Sequence, residues 1–191
     1  ESTDEILFTT SNTDGSTTYE WTNNNTAIGL AASGIGDIPS FVVVGSSVVS
    51  EIAIIEVTPT YDFNGVTCTG NPETFTITVN PGAQVDPVAG QVLCVGESTD
   101  EILFTTSNTD GSTTYEWTNN NTAIGLAASG IGDIPSFTAT NDTASALVAT
   151  IEVIPTYENG GVTCTGNPET FTITVNHGAQ VDPVAGQVLC V

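Results

Sequence analysis

The strongest constraint on this chain is that it nearly repeats itself. Glu1 recurs as Glu97, Trp21 as Trp117, Cys68 as Cys164 and Cys94 as Cys190, a period of 96 residues without a gap. A period of that length is too long for a solenoid unit and describes a whole domain. The copies are nearly identical from Glu1 to Phe41 and from Gly65 to Asn80, and diverge chiefly between Val42 and Ile54, against Thr138 to Thr150. The stretch from Ala83 to Gly96, AQVDPVAGQVLCVG, returns from Ala179 to Val191 without its final Gly. The expected frame is therefore staggered. Residues 1–82 form a module without its first strand, residues 83–178 a complete module, and residues 179–191 the first strand of a further one.

Within the complete module the apolar residues alternate, which is the period of a half-buried strand. Strands are expected at Val88 to Cys94, Glu101 to Thr106, Thr113 to Thr118, Ala123 to Ala128 (a short strand or edge), Pro135 to Thr140, Leu147 to Tyr157 and Thr170 to Asn176. In TTYEWT, Tyr115 and Trp117 share one face and Glu116 the other; in TFTITVN, Phe171, Ile173 and Val175 face inward and the threonines outward. Asp110-Gly111, the bend Gly130 to Asp133 and Asn159-Gly160-Gly161 punctuate these runs as turns. No segment has a helical period. Short strands, frequent turns and a Trp on the third strand predict an all-β chain of tandem immunoglobulin-like β-sandwich modules, with a twisted barrel as the lesser alternative.

Composition removes whole classes of function. The chain has 191 residues, 22 Asp and Glu, no Lys and no Arg. Phosphate recognition rests on Lys and Arg, so neither nucleic acid nor an anionic membrane surface is an expected partner. A Schiff-base lysine and an arginine clamp are excluded, and trypsin has no site to cut. A uniformly acidic surface repels copies of itself and keeps a long polymer soluble. With 39% hydrophobic residues the chain still has enough apolar material for packed cores.

The four cysteines show no C-x-x-C spacing, and the single His has no partner set, so disulfides are preferred over a metal site. Three pairings are possible within the chain. With Cys94 on the first strand and Cys164 in the loop before the last, both are expected at one pole and bonded to each other. Cys68 and Cys190 are then expected to bond cysteines of adjacent modules outside the chain.

Other candidate chemistry is sparse. His177 stands where the other copy has Pro81, so a function carried by every module cannot use it, and no enzyme activity is expected. No cofactor is expected either, except that calcium is carried as a candidate ligand. Asp14, Asp37, Asp110 and Asp133 are its first candidate ligands, although turn chemistry explains the same residues and no EF-hand loop is present. Trp21 and Trp117 read as core residues rather than sugar platforms. Asn24, Asn120 and Asn141 open N-x-T triplets. Asp142-Thr143-Ala144 has the form of a D-[ST]-A triplet for O-glycosylation at Thr143.

The phrases QVLCVGESTDEILF, YEWTNNNTAIGLAASGIGDIPSFTATN and VTCTGNPETFTITVN resemble the PKD-like repeats that occur in tandem in very long surface proteins of Bacteroidota. The resemblance spans the whole period. It departs from the family pattern after Tyr115-Glu116-Trp117, where Thr118-Asn119-Asn120 replaces a Gly-Asp-Gly turn. It implies type IX secretion, a cell-surface location and an adhesin of the SprB-like gliding-motility kind, with no catalytic residues. The expected function is a disulfide-stabilised stalk or spacer of an extracellular filament or adhesin. Its partners are neighbouring modules end to end, or other chains in a filament whose tails at 179–191 fill the gap in the first module. The rival expectation is a glycan- or calcium-binding adhesive module that uses the divergent span as its recognition edge.

Overall fold

The computed structural model describes residues 1–190 and is all-β. Contacts divide it into two units. Unit 1 comprises Glu1–Gln84, Ser107–Thr113 and Thr156–Gly166; unit 2 comprises 85–106, 114–155 and 167–190. The two short stretches belong to unit 1 through bonds such as Asn108 Nδ2 to Ser47 O (3.3 Å) and Asn159 Nδ2 to Ser50 Oγ (2.9 Å).

In the first sheet, β1 (Ser16–Asn23) lies between β2 (Ser33–Ile35) and β3 (Glu51–Phe63), all antiparallel. β3 is long enough to carry two partners along its other edge: β5 (Glu73–Val79) on residues 51–57 and β4 (Val66–Thr69) on residues 60–63. Asn64 and Gly65, with φ of 52° and 79°, make the two-residue hairpin between β3 and β4, the left-handed pair that such a tight turn requires. The second sheet repeats the pattern. Its order is β6 (Gln91–Cys94), β11 (Glu169–Asn176), β9 (Leu147–Asn159), β7 (Ser112–Asn119) and β8 (Ser129–Ile131), with β10 (Val162–Thr165) on the end of β9. The one addition is β6, which runs parallel to β11 with Gln91 opposite Ile173 and Cys94 opposite Asn176.

Alternation fixes what each face buries. Phe171, Ile173 and Val175 are buried, as are Tyr115 and Trp117, while Glu116 is exposed. A second layer crosses each core on isolated bridges, Ile6 with Ile38 in unit 1 and Ile102 with Ile134 in unit 2. In unit 1, Ile28, Leu30 and Ile38 pack with Trp21, Ala53, Ile55 and Val57; in unit 2 the counterparts pack with Ile173 and Val175.

Several expected strands are corrected. Ala123 to Ala128 is not a strand: a 3-10 turn at Thr122–Ile124 occupies it, because Asn121 caps the turn by accepting from Ala123 N and Gly125, with φ 99°, closes it. Glu101 to Thr106 and Pro135 to Thr140 pair only through single bridges. The first strand is shorter than Val88 to Cys94: its ladder with β11 begins at Gln91. Conversely, β10 and its counterpart β4 were not anticipated, since VTCT is too short to show a period.

Candidate functional site

The two units bury identical residues to different depths, and the difference locates the candidate site. Phe171, Ile173 and Val175 on β11 are 5%, 0% and 0% exposed. Their counterparts on β5, Phe75, Ile77 and Val79, are only half-buried, as are Ile6, Phe8 and Tyr19, whose counterparts Ile102, Phe104 and Tyr115 are buried. The exposed apolar atoms line a groove of about 410 Å³ on unit 1, walled by Leu7, Phe8, Tyr19, Val57, Pro59 and Phe75. Along one side runs the outer edge of β5, which among the described residues carries no neighbouring strand.

Unit 2 has the same groove, filled by its own chain. Val85, Val88 and Leu93 pack against the core from the segment that leads through β6. Polar contacts fix that segment on both sides. Asp86 N donates to Thr105 O (2.8 Å) and Thr105 Oγ1 donates to Asp86 Oδ2 (2.7 Å). Gln91 Nε2 donates to Asp100 O (3.1 Å), and Asp100 N donates back to Gln91 Oε1 (3.0 Å). Gly90 lies so close to β11 that an added Cβ would stand 2.6 Å from Thr172 O. Backbone pairing, three apolar anchors and a glycine at the closest approach together make a strand-binding groove.

The cysteines do not form the expected bridge. Cys68, Cys94, Cys164 and Cys190 are all free thiols, so Cys94 and Cys164 are not bonded to each other. The expectation placed Cys94, on the first strand, and Cys164, in the loop before the last strand, at one pole. Cys94 stands at the end of β6, level with Asn176 at the end of β11, whereas Cys164 lies on β10, opposite Tyr157 and upstream of the first residue of β11. Cys68, Cys94 and Cys190 are exposed and Cys164 half-buried.

The four candidate aspartates serve the turns. Asp37 Oδ1 accepts from Phe8 N (2.7 Å), and Asp133 Oδ1 accepts from Phe104 N (2.8 Å), tying a bend to the strand segment beside it. Asp14 accepts from the Tyr61 hydroxyl (3.3 Å). Asp110 occupies a left-handed turn position with φ 68°. Among the described residues no three His, Cys, Asp or Glu side chains come together as a metal-holding group.

Trp21 and Trp117 are core residues, 4% and 5% exposed. Asn141 is buried, its amide donating to Ser145 O and Val175 O (both 2.8 Å), which takes that N-x-T nitrogen out of reach. The Thr143 hydroxyl sits in the same turn, on Asn141 Oδ1 and Ser145 O (both 2.8 Å). Asn24 and Asn120 are exposed, each accepting from the N–H of a neighbouring strand residue (2.8 Å). His177 is exposed, with Nδ1 2.9 Å from Gly178 O.

Sequence reasoning did not single out Asn23 and Asn119. Each is buried and donates to two successive carbonyls of the loop that follows, Asn119 to Leu126 O and Ala127 O (both 3.1 Å). Their position at the head of the Asn run, directly after the aromatic strand, was the available signal.

No protein-family model and no curated protein matches this chain. Among the described residues no helix is long and apolar enough to cross a membrane.

Proposed function

We propose that this chain is a structural spacer: tandem immunoglobulin-like modules of the stalk of an extracellular filament or cell-surface adhesin, of the PKD-like kind its sequence resembles. One observation carries the reading. The core and turn residues recur at the 96-residue period, Trp21 with Trp117, Ile55 with Ile151 and Ile77 with Ile173, whereas the residue best suited to catalysis, His177, is Pro81 in the other copy. A chain that conserves packing between its copies and varies its one base is specialised for being a body rather than for turning over a substrate. The absence of Lys and Arg supports an exposed, protease-rich setting, and the charge of −22 keeps a crowded array soluble.

Thermal unfolding under calcium titration tests the reading. A spacer responds to Ca²⁺ weakly and without saturation, as screening of an acidic surface by any salt would produce. A large, saturable rise in Tm that Mg²⁺ does not reproduce would replace the spacer reading by that of a calcium-binding module.

A further inference from the structure

The segment that fills the groove of unit 2 exists twice in the chain. Residues 82–94 and 178–190 are identical, GAQVDPVAGQVLC in both. In the first copy Val85, Val88 and Leu93 are packed on a core and β6 is paired. In the second the same side chains cover nothing among the described residues: Val181, Val184 and Leu189 are 87%, 87% and 85% exposed, and residues 179–190 pair with no described strand.

The acceptor is duplicated too. β5 reads ETFTITV, the same residues as Glu169 to Val175 of β11. Its outer edge is bare among the described residues, and the groove beside it is open. An unpaired edge with an uncovered apolar groove is a template for strand addition. An unpaired donor of the fitting sequence, carried by the same molecule, says which strand it fits.

We propose that residues 179–190 of one molecule dock into the unit 1 groove of a second copy, as a parallel strand on β5, so that copies join by strand exchange. The register follows from β6 on β11 by adding the period to the donor and subtracting it from the acceptor. Gln187 stands opposite Ile77, Val188 opposite Thr78, Leu189 opposite Val79 and Cys190 opposite Asn80. Val181, Val184 and Leu189 cover Phe8, Phe75 and Ile77. Gly186 passes Thr76 at the close approach that Gly90 makes to Thr172. Asp182 takes the place of Asp86 against Thr9, the counterpart of Thr105. Gln187 takes the place of Gln91 against Asp4, the counterpart of Asp100. Docking brings like-charged copies together, so it strengthens as salt screens their repulsion. The inference goes beyond the spacer reading, because a spacer within one continuous polypeptide needs no such exchange.

Sedimentation velocity on the 191-residue protein, across concentration and salt, tests it. The expected result is a series of species of two copies and more, growing with both variables. A synthetic peptide of residues 179–190 should cap the groove and shorten the series. Val184→Asp with Leu189→Asp should abolish it while leaving Tm of the single copy unchanged, because both side chains are already exposed there. A protein that stays single at every concentration overturns the proposal, and so does assembly that is insensitive to either the peptide or the double variant. The calcium titration is unaffected by any of these outcomes, so the two readings fail separately.

Discussion

Gly130 lies against the face of the Trp117 indole, so close that a Cβ built on it would stand 2.2 Å from the ring atom Cζ2. The two residues are cross-strand partners in β8 and β7, and Gly34 meets Trp21 in the same way at 2.3 Å. A methyl group there forces a buried indole out of its well. Gly130→Ala should therefore destabilise by about 1–3 kcal/mol, the usual cost of overpacking a core, read from urea unfolding followed by Trp fluorescence. Gly132→Ala, where nothing lies within 4 Å of the added carbon but φ is +71°, isolates the backbone penalty alone, roughly 1 kcal/mol. Equal losses at the two sites would show that the indole contact contributes nothing.

Asp133 separates structural from metal-binding chemistry. Its Oδ1 accepts from Phe104 N at 2.8 Å, a task an asparagine oxygen also performs. Asp133→Asn should keep stability within about 1 kcal/mol, whereas Asp133→Ala leaves a half-buried N–H unpaired and costs about 1–3 kcal/mol. A calcium ligand would give the opposite ordering of concern, with the Asn variant losing its response to Ca²⁺. Melting curves of both variants, with and without calcium, decide.

These sites show why part of the fold was legible in the sequence and part was not. Strands with one face in the core carry a period-2 pattern, so Thr113 to Thr118 and Thr170 to Asn176 fell within one residue of β7 and β11. Segments held by single bridges, such as that around Ile102, are apolar enough to look like strands but pair too little to be ones. The run after Trp117 reads as a strand by composition, yet side-chain capping by Asn121 wins and makes a 3-10 turn. The groove was legible only as an inference from the stagger of the repeat. Its existence depends on how far Phe75 and Ile77 are uncovered, which no local pattern encodes. The expected Cys94–Cys164 contact is not seen because Cys94 closes its strand: β6 runs parallel to β11, so Cys94 stands level with Asn176 at the end of β11, away from the β10 segment that precedes Glu169.

The free thiols make a direct prediction. With Cys68, Cys94 and Cys190 exposed and Cys164 half-buried, a thiol-specific reagent should modify three sites quickly and the fourth more slowly, all without denaturant. Reductant should leave Tm unchanged. A thiol count two short of the full set, restored by reductant, would show a bridge, and peptide mapping under non-reducing conditions would show whether it joins Cys94 to Cys164.

Tyr115 gives the pH dependence. Its hydroxyl is held above the ordinary 10.0, first by burial, then by the nearby Asp86 carboxylate, with Asp133 adding to the effect and a hydrogen bond with Thr106 working the other way. The folded chain therefore keeps the phenolic proton at a pH where the unfolded chain has lost it. The contribution is fully present below the unfolded value near 10.0 and disappears as pH rises through the folded value. Stability should accordingly be flat through neutrality as far as this group is concerned, and fall on the alkaline side. Tyr115→Phe should flatten that fall. Tyr61 is raised as well, so spectrophotometric titration of the phenols should show late-ionising groups that include Tyr61 and Tyr115 in the wild type, and one fewer of them in the variant. If the alkaline slope is the same in both proteins, burial of this hydroxyl is not what links the second unit's core to pH.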